Sequence, residues 1–261
     1  MAPRDWSFVN EDLIDAMHDH PDLAWRVEGT SEYIIGGHWR RRREIGSVEE
    51  LRAKSNRGRL LDHLIRRLRD NGVALLTLGA NEQERNLGFY LSEGFQTIDE
   101  IVRYQKQGTA TPYFEQPWAV RPLEQRDRAQ LLALDHAAFP WLWWNSDEEF
   151  TWYLGLPGVE CHVVAADGLV VGYAGFTISG RQGHLDRLAV LPRYQGRGIG
   201  RALVLHTLSR MAERWVERVA LTTQVSNHRS AQLYSALGFV RTAVRYPVYG
   251  LWLEQSDEPS I

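Results

Sequence analysis

The chain has 261 residues, and 44% of them are hydrophobic, which is enough for one large or two small packed domains. A formal net charge of −3 gives no global signature of nucleic-acid binding. The single cysteine, Cys161, excludes an internal disulfide, and we expect it to pack within a strand rather than act as a nucleophile. Without a membrane-spanning apolar run or a signal-peptide core, the sequence predicts a soluble cytoplasmic protein.

The first forty-five residues predict one helix and several short strands. Residues 10–19 have the apolar spacing of a helix, with Asn10 as its N-cap. Extended segments are expected at 23–27, 33–35 and 39–45. The arginine run 40–43 favours a solvated or ion-paired strand over a nucleic-acid site, because alternate residues of a strand point to opposite faces. An acidic substrate or partner for this run stays open.

The next sixty residues show clearer periodicity. Residues 57–68 predict an amphipathic helix closed by Asn71 and Gly72, and 73–78 have the pattern of a buried strand. The stretch 86–95 precedes another strand that runs through Ile101 and Tyr104. Residues 107–117 contain a glycine, two prolines and two threonines, a composition that predicts a linker.

A second series of elements follows the linker. We expect a strand at 118–123, a helix at 126–138, an aromatic segment at 139–144, a helix from 147, a hairpin of 161–166 and 169–178, a strand at 183–190, a helix ending near 215, a strand at 219–223, a helix at 227–237 and two strands within 239–253. Asp167 and Gly168 form a favoured two-residue hairpin turn. Four tryptophans predict either a wall that binds apolar or cationic groups or part of the core: Trp141, Trp143, Trp144 and Trp152.

The most informative stretch joins the strand at 183–190 to the following helix. Pro192 ends the strand, because proline has no N–H to donate. The loop Q-G-R-G-I-G then places three glycines within five residues at a helix N-terminus, where uncovered amides and the helix dipole both favour an anion. Arg193, Arg197 and Arg201 add positive charge. The sequence therefore predicts a cradle for a phosphate or pyrophosphate, although it contains neither a dinucleotide fingerprint nor a P-loop.

The pattern Q-x-x-G-x-G, reached from a strand through V-x-P, resembles the acetyl-CoA loop of the GNAT superfamily of N-acetyltransferases. The resemblance implies that the loop holds the coenzyme's pyrophosphate through Gln195, Gly196, Arg197, Gly198, Ile199, Gly200 and Arg201. It also implies that the strand residues Leu188, Ala189 and Val190 pair with the pantetheine arm. In this family an asparagine later in the chain contacts the coenzyme and a tyrosine reaches the thioester sulfur; the matching residues are Asn227 and Tyr234. Their alternative roles are a helix N-cap and a core tyrosine.

The order of elements over 118–253 is also similar to the GNAT fold, an α/β (α+β) fold with a mixed central sheet flanked by helices. The earlier stretch N-L-G-F-Y-L-S-E-G-F matches S-A-Q-L-Y-S-A-L-G-F, with Tyr90 opposite Tyr234, which predicts two GNAT-like units in tandem. Residues 53–58 stand at the phosphate loop of the first unit but lack the G-x-G. We therefore expect a degenerate, partial, non-catalytic unit at 1–107, a linker at 108–117 and a catalytic GNAT domain at 118–261.

Acetyl transfer to an amine requires a base, because an aliphatic ammonium loses its proton only near pH about 10.4. His184 and Asp186 share one face of the strand, and His184 stands about where some GNAT members carry a base. Other members use a water chain, and a strand histidine is commonly a core residue. A backbone N–H within 188–190 would stabilise the oxyanion, and Tyr234 would protonate the departing thiolate.

These residues predict an acetyl-CoA-dependent N-acetyltransferase that acts on a primary amine by direct attack in a ternary complex, without a metal. The alternatives are a regulatory module that binds acetyl-CoA without transferring the acetyl group, and a transferase for another acyl-CoA. The expected partners are acetyl-CoA and an amine acceptor, with a homodimer left open and neither nucleic acid nor a membrane expected. The identity of the acceptor is open.

Overall fold

A computed structural model describes residues 22–115 and 117–253. These residues divide into two compact units, one containing 100–246 and the other containing 22–99 together with 247–253. We call them the 100–246 unit and the 22–99 unit. The helix expected at 10–19 lies outside the described residues. None of the helices within the described ranges is long and apolar enough to cross a bilayer.

The 22–99 unit combines a mixed sheet with two helices. In chain order its elements are β1 (Ala24–Arg26), β2 (Tyr33–His38), β3 (Ile45–Arg52), α1 (Arg57–Asp70), β4 (Leu75–Leu78), α2 (Ala80–Ser92) and the start of β5 (Gln96–Gln107). β3 and β4 are parallel, whereas β2 runs antiparallel to both β1 and β3. The leucines of α1 recur at helical spacing and bury one face of the helix in the core of this unit, as the sequence predicts.

The arginine run 40–43 does not form the expected strand. Residues 39–41 form a single 3₁₀ turn, and Arg40 and Arg41 have φ angles of 53° and 51°. Two consecutive residues in the left-handed region reverse the chain, so the extended prediction for 39–45 is wrong. The strand begins instead at Ile45, and the sequence reading missed it. The ion pairing is confirmed at Arg42, whose buried guanidinium donates to Glu44 at 2.8 Å.

The 100–246 unit is built around a sheet with the strand order β11-β5-β10-β9-β8-β7-β6, to which β11 contributes residues 240–246 within this unit. Its elements after β5 are β6 (Arg121–Pro122), α3 (Arg128–Ala138), α4 (Asp147–Leu154), β7 (Val159–Ala166), β8 (Leu169–Ser179), β9 (Gln182–Val190), α5 (Ile199–Glu213), β10 (Arg218–Gln224), α6 (His228–Ala236) and β11 (Val240–Trp252). β9 and β10 are parallel, and the other described pairs are antiparallel.

Central position in the sheet explains the sequence of β8. Seven consecutive residues of this strand are buried, because it is paired on both sides and covered on both faces. α5 covers one face with apolar residues on nearly every side, and α3 and α4 contribute to the second apolar cluster of the unit. Cys161 lies in β7 as expected, and burial raises the pKa of its thiol to about 12, so it is not a thiolate at neutral pH.

Two expected strands differ in extent from those observed. The strand predicted at 118–123 is reduced to Arg121–Pro122, with one further hydrogen bond to β7 from the amide of Leu123 to the carbonyl of Cys161 at 2.9 Å. The two strands expected within 239–253 are one continuous strand, β11, whose residues Gly250, Leu251 and Trp252 pair with β4. The chain passes from one compact unit to the other within β5 and again within β11.

Candidate active site

The glycine-rich loop presents backbone N–H groups at the start of α5. Gly196 and Gly198 have φ angles of +79° and +83°, which L side chains rarely adopt. The first hydrogen bond of the helix runs from the amide of Ala202 to the carbonyl of Gly198, and Gly198 has no side chain with which to cap the preceding amides. The amides of Ile199, Gly200 and Arg201 therefore face outward at the positive end of the helix dipole, as an anion cradle requires.

An unpaired strand edge lies directly before this loop in the chain. Within the described residues, β9 pairs with β10 only over 182–185, while it pairs with β8 as far as Val190. On the β10 side, the edge of 186–190 is consequently open to another extended chain, except at the carbonyl of Val190, which accepts from the Gln195 side chain. Leu188, Ala189 and Val190, the residues expected to pair with a pantetheine arm, all belong to this edge.

Side chains around the loop fix its shape and give it positive charge. The Gln195 amide donates to the carbonyl of Val190 at 3.0 Å, and its oxygen accepts from Arg229, so both polar ends are used within the protein. The indole of Trp118 donates to the carbonyl of Arg197 at 2.7 Å. Arg193, Arg197 and Arg201 are exposed, as the expected charge around a pyrophosphate requires.

His184 and Asp186 form a hydrogen-bonded pair at a β-bulge. Gly175 of β8 lies opposite Arg187 and Phe176 lies opposite Leu185, which leaves Asp186 as the extra residue on β9. The His184 Nδ1 lies 2.7 Å from an oxygen of Asp186, and the two side chains are 20% and 10% exposed. Burial lowers the pKa of His184 against the opposing effect of Asp186, so the imidazole is neutral at physiological pH.

Tyr234 is buried in the core of the 100–246 unit. Its ring centroid lies 6.0 Å from that of Tyr104 and 6.0 Å from that of Phe239. Burial raises the pKa of the Tyr234 phenol, which keeps its proton at neutral pH. Asn227 caps α6, because its side-chain oxygen accepts from the amide of Ser230 at 3.1 Å. That contact is the alternative role expected for Asn227, and it leaves the side-chain NH₂ group as its remaining donor.

Several polar residues near the bulge were not singled out from the sequence. Tyr153 and Thr177 both donate to Asp186. The fully buried carboxylate of Asp135 accepts from Arg187 and from Tyr173, each at 2.6 Å. No sequence motif marks these residues, because they come from separate elements. The one sequence signal for them is that each is a polar residue in an otherwise apolar stretch.

The buried group formed by Asp135, Arg187 and Tyr173 also contacts the aromatic segment 139–144. The Arg187 guanidinium donates to the carbonyl of Trp143 at 2.6 Å and lies 3.8 Å from the ring centroid of Phe139. Trp143 is buried in the core, whereas Trp141, Trp144 and Trp152 are partly exposed. Of the four tryptophans, Trp143 is therefore part of the core, and the other three have surface that another molecule can contact.

Comparison with known proteins agrees with this geometry. The family model of the acetyltransferase (GNAT) family matches residues 113–239. The chain is 30% identical over 112 residues to the [ribosomal protein bS18]-alanine N-acetyltransferase of Escherichia coli, covering 43% of this chain and 72% of that protein. The chain belongs to the acetyltransferase (GNAT) family.

Two further comparisons cover a larger share of the chain. The chain is 30% identical over 167 residues to the mycothiol acetyltransferase of Kineococcus radiotolerans, which covers 58% of this chain and about half, 53%, of that protein. A tandem GNAT protein from the clavulanic acid biosynthesis pathway matches the fold with a TM-score of 0.58 at 17% identity, over 98% of this chain and 91% of that chain. The expected GNAT fold, including its tandem form, is thereby confirmed.

The 22–99 unit repeats the GNAT elements with different chemistry at the matching positions. β3, α1, β4 and α2 follow one another as β9, α5, β10 and α6 do, with β3 and β4 parallel. At the loop before α1, the carboxylate of Glu32 accepts from the amides of Lys54 at 2.6 Å and Ser55 at 2.9 Å, and from the side chain of Asn56. Tyr90, opposite Tyr234 in the repeat, donates to the buried Glu82 at 2.8 Å.

Proposed function

We propose that this GNAT acetyltransferase uses acetyl-CoA to acetylate a primary amine, by direct attack of the amine while both substrates are bound to the 100–246 unit. The observation that carries the proposal is the outward-facing amide cradle of 199–201 next to the unpaired edge of 186–190. A pyrophosphate fits the cradle because it is anionic, and an amide-containing pantetheine arm fits a free strand edge because it can complete the ladder.

Acetyl-CoA would supply an activated acetyl group together with a thiolate leaving group. The amides of the glycine-rich loop, with Arg193, Arg197 and Arg201 around them, would bind its phosphates. The backbone of Leu188, Ala189 and Val190 would orient the arm and offer an N–H to the developing oxyanion. The strand edge would therefore both position the pantetheine arm and stabilise the negative charge of the oxyanion.

The bulge pair supports a role for His184 as the base. Asp186 accepts the hydrogen bond from Nδ1, so the lone pair of the neutral imidazole is on Nε2, from which it can take the proton of an acceptor amine. Tyr234 keeps its phenolic proton at neutral pH and would donate it toward the thiolate. In this assignment Asp186 orients His184 and does not itself touch the substrates.

The 22–99 unit is proposed to be non-catalytic and to bind no coenzyme. Its loop amides are bound to the protein's own carboxylate, Glu32, where the GNAT loop of the other unit presents free amides. Its tyrosine, Tyr90, is likewise bound to a carboxylate, that of Glu82. Both features replace an external anion or thioester by internal partners. The sequence-based boundaries, a non-catalytic unit at 1–107, a linker at 108–117 and a catalytic domain at 118–261, stay a proposal, and the compact units divide instead at 99/100 and 246/247.

We expect Glu32→Gln to destabilise the protein at neutral pH without changing the stoichiometry of one acetyl-CoA per chain. The hydrogen bonds from Ser55, Asn56 and Lys54 lower the pKa of Glu32 to about 2 from 4.5. The stabilisation from a depressed pKa is complete above pH 4.5 and is lost as the pH falls through about 2. The difference from wild type in urea unfolding should therefore be largest near pH 7 and shrink below pH 4.5.

The exposed Glu28, in the same connection between β1 and β2, provides the control for this prediction. Glu28→Gln removes one negative charge without removing the contacts to residues 54–56, so its unfolding should follow that of the wild type over the same pH range. Calorimetry that detects a second acetyl-CoA per wild-type chain would contradict the non-catalytic assignment of the 22–99 unit.

The activity itself is tested by measuring release of free coenzyme A with a panel of amines. The panel should contain small primary amines, amino sugars and a peptide with an N-terminal alanine, since the Escherichia coli relative is named for an alanine acceptor. Release that requires both acetyl-CoA and an amine supports the transferase. Tight binding of acetyl-CoA without release of coenzyme A for any amine favours the regulatory module. Preference for a longer acyl-CoA favours a transferase that uses another acyl donor.

A further inference from the structure

Asp186 receives three hydrogen bonds from three different elements. His184 of β9 approaches one carboxylate oxygen at 2.7 Å. The hydroxyls of Thr177 in β8 and Tyr153 in α4 donate to the other oxygen at 2.6 and 2.8 Å. Because two donors converge on one oxygen, the carboxylate is fixed in rotation, and its other oxygen is held toward His184.

The contact from α4 depends on a glycine in β8. A Cβ atom at Gly175 would lie 2.7 Å from the hydroxyl oxygen of Tyr153, closer than real Cβ contacts. Gly175 also lies next to the bulge that leaves Asp186 without a partner on β8. The bulge and the glycine together therefore create the space in which a tyrosine from a helix reaches a carboxylate on β9.

This arrangement determines where His184 carries its proton. Burial alone would raise the pKa of Asp186, but the hydrogen bonds from His184, Thr177 and Tyr153 outweigh it and lower the pKa. The carboxylate is ionised at neutral pH and can only accept, so the proton between the two side chains is on Nδ1 of His184. The Nε2 atom of the neutral ring then carries the lone pair.

We propose that Tyr153 is a positioning residue of the acetyl-transfer site: its hydroxyl, admitted by Gly175, holds Asp186 so that His184 keeps its proton on Nδ1 and offers Nε2 as the base. The inference rests on the proposed role of His184. Tyr153 acts through Asp186 and contacts no reacting atom. It also joins α4, which directly follows the aromatic segment in the chain, to the residue that sets the state of the base.

Among the described residues, few other charges act on this pair. Arg103 of β5 lowers the pKa of His184 by repulsion of the imidazolium. Next to Tyr153, burial keeps both the Cys161 thiol and the Tyr173 phenol protonated, since it raises their pKa values. β10 pairs with His184 through Ala220, which carries no charge. Removal of the Tyr153 hydroxyl therefore changes mainly the strength of the bond between Asp186 and His184.

The test is Tyr153→Phe in the full chain, read out by the pH dependence of kcat/KM and by NMR titration of His184. With one donor fewer, Asp186 becomes a stronger acceptor and stabilises the imidazolium, so the pKa of His184 should rise by up to about one unit. The acid limb of the kcat/KM profile should move to higher pH by the same amount, a loss of up to about tenfold on that limb. The NMR signal of His184 is identified by its disappearance in His184→Gln.

Tyr173→Phe is the matched control, because it also removes a buried tyrosine hydroxyl from an aspartate, Asp135, in the same unit. It should lower thermal stability while leaving the acid limb in place. Gly175→Ala displaces the Tyr153 hydroxyl without deleting it, and it should shift the limb in the same direction as Tyr153→Phe. This second variant covers the case in which Tyr153→Phe fails to fold.

The outcomes separate this inference from the proposed function. If neither Tyr153→Phe nor Gly175→Ala shifts the acid limb of the kcat/KM profile or the titration of His184, the proposed role of Tyr153 is wrong. This holds even where His184→Gln inactivates the enzyme. Wild-type turnover in His184→Gln would instead remove the base from the proposed function. In that case the His184 titration still decides whether Tyr153 controls the imidazole.

Discussion

Gly198→Leu is expected to weaken the binding of acetyl-CoA by about 10²-fold or more while leaving the protein folded. Gly198 has a φ angle of +83° at the start of α5, and apart from its two chain neighbours no described atom lies within 4 Å of a Cβ built there. A leucine therefore has room within the chain, at a strain of about 1–2 kcal/mol, but its side chain covers the amides of the cradle. Each lost hydrogen bond to a charged phosphate costs about 1.5–3 kcal/mol, so losing two weakens binding by about 10²-fold or more.

Isothermal calorimetry with acetyl-CoA measures this loss, and thermal unfolding checks that the variant is folded. Gly58→Leu is the control, because Gly58 lies in the first turn of α1, the matching helix start of the 22–99 unit, and also has open space around it. Its binding should equal that of the wild type if the 22–99 unit takes no coenzyme. Undiminished affinity in folded Gly198→Leu would remove the cradle from the proposed site.

Tyr234→Phe is expected to lower kcat by about 10²-fold with little change in acetyl-CoA affinity. The ring stays packed against Tyr104 and Phe239, so the substitution removes only the hydroxyl. Loss of a general acid typically costs about 10²–10⁴-fold in rate, and a coenzyme thiolate leaves readily enough to place the effect at the lower end. Affinity depends on the glycine-rich loop, which this substitution does not touch.

Steady-state kinetics with an accepted amine, together with calorimetry, separate the two parameters. Tyr90→Phe is the matched control, since Tyr90 occupies the same place in the repeat and donates to Glu82. It should reduce the free energy of unfolding, because a buried carboxylate loses a donor, and leave kcat unchanged. An active enzyme whose kcat survives Tyr234→Phe would make Tyr234 a packing residue.

The elements with strong local signals were predicted well. The helix at 57–68 agrees with α1, because its leucines repeat at helical spacing, and the turn at Asp167 and Gly168 joins β7 to β8 as expected. The glycine-rich loop was recognisable because its residues are contiguous and their conformational demands are local. Family membership followed from that loop and from residues at fixed spacings after it.

Errors arose where the backbone conformation contradicts the side-chain pattern. Nothing in the sequence marks the positive φ angles of Arg40 and Arg41, so an extended segment is predicted where the chain turns. Two strands are predicted within 239–253 where the structure has the single strand β11, which continues through Pro247. The strand β3, rich in charged residues, lacked the apolar pattern of its counterpart β9.

The sequence by itself determined the family and made the glycine-rich loop, His184, Asp186 and Tyr234 the candidate site, because each depends on residues close together in the chain. Only the tertiary structure decided which groups surround them. Tyr153 and Thr177 reach Asp186 from 33 and 9 residues away, and Glu32 reaches the loop before α1 from 22 and 23 residues away. Sequence spacing carries no information about such contacts, because they form when separate elements pack against one another.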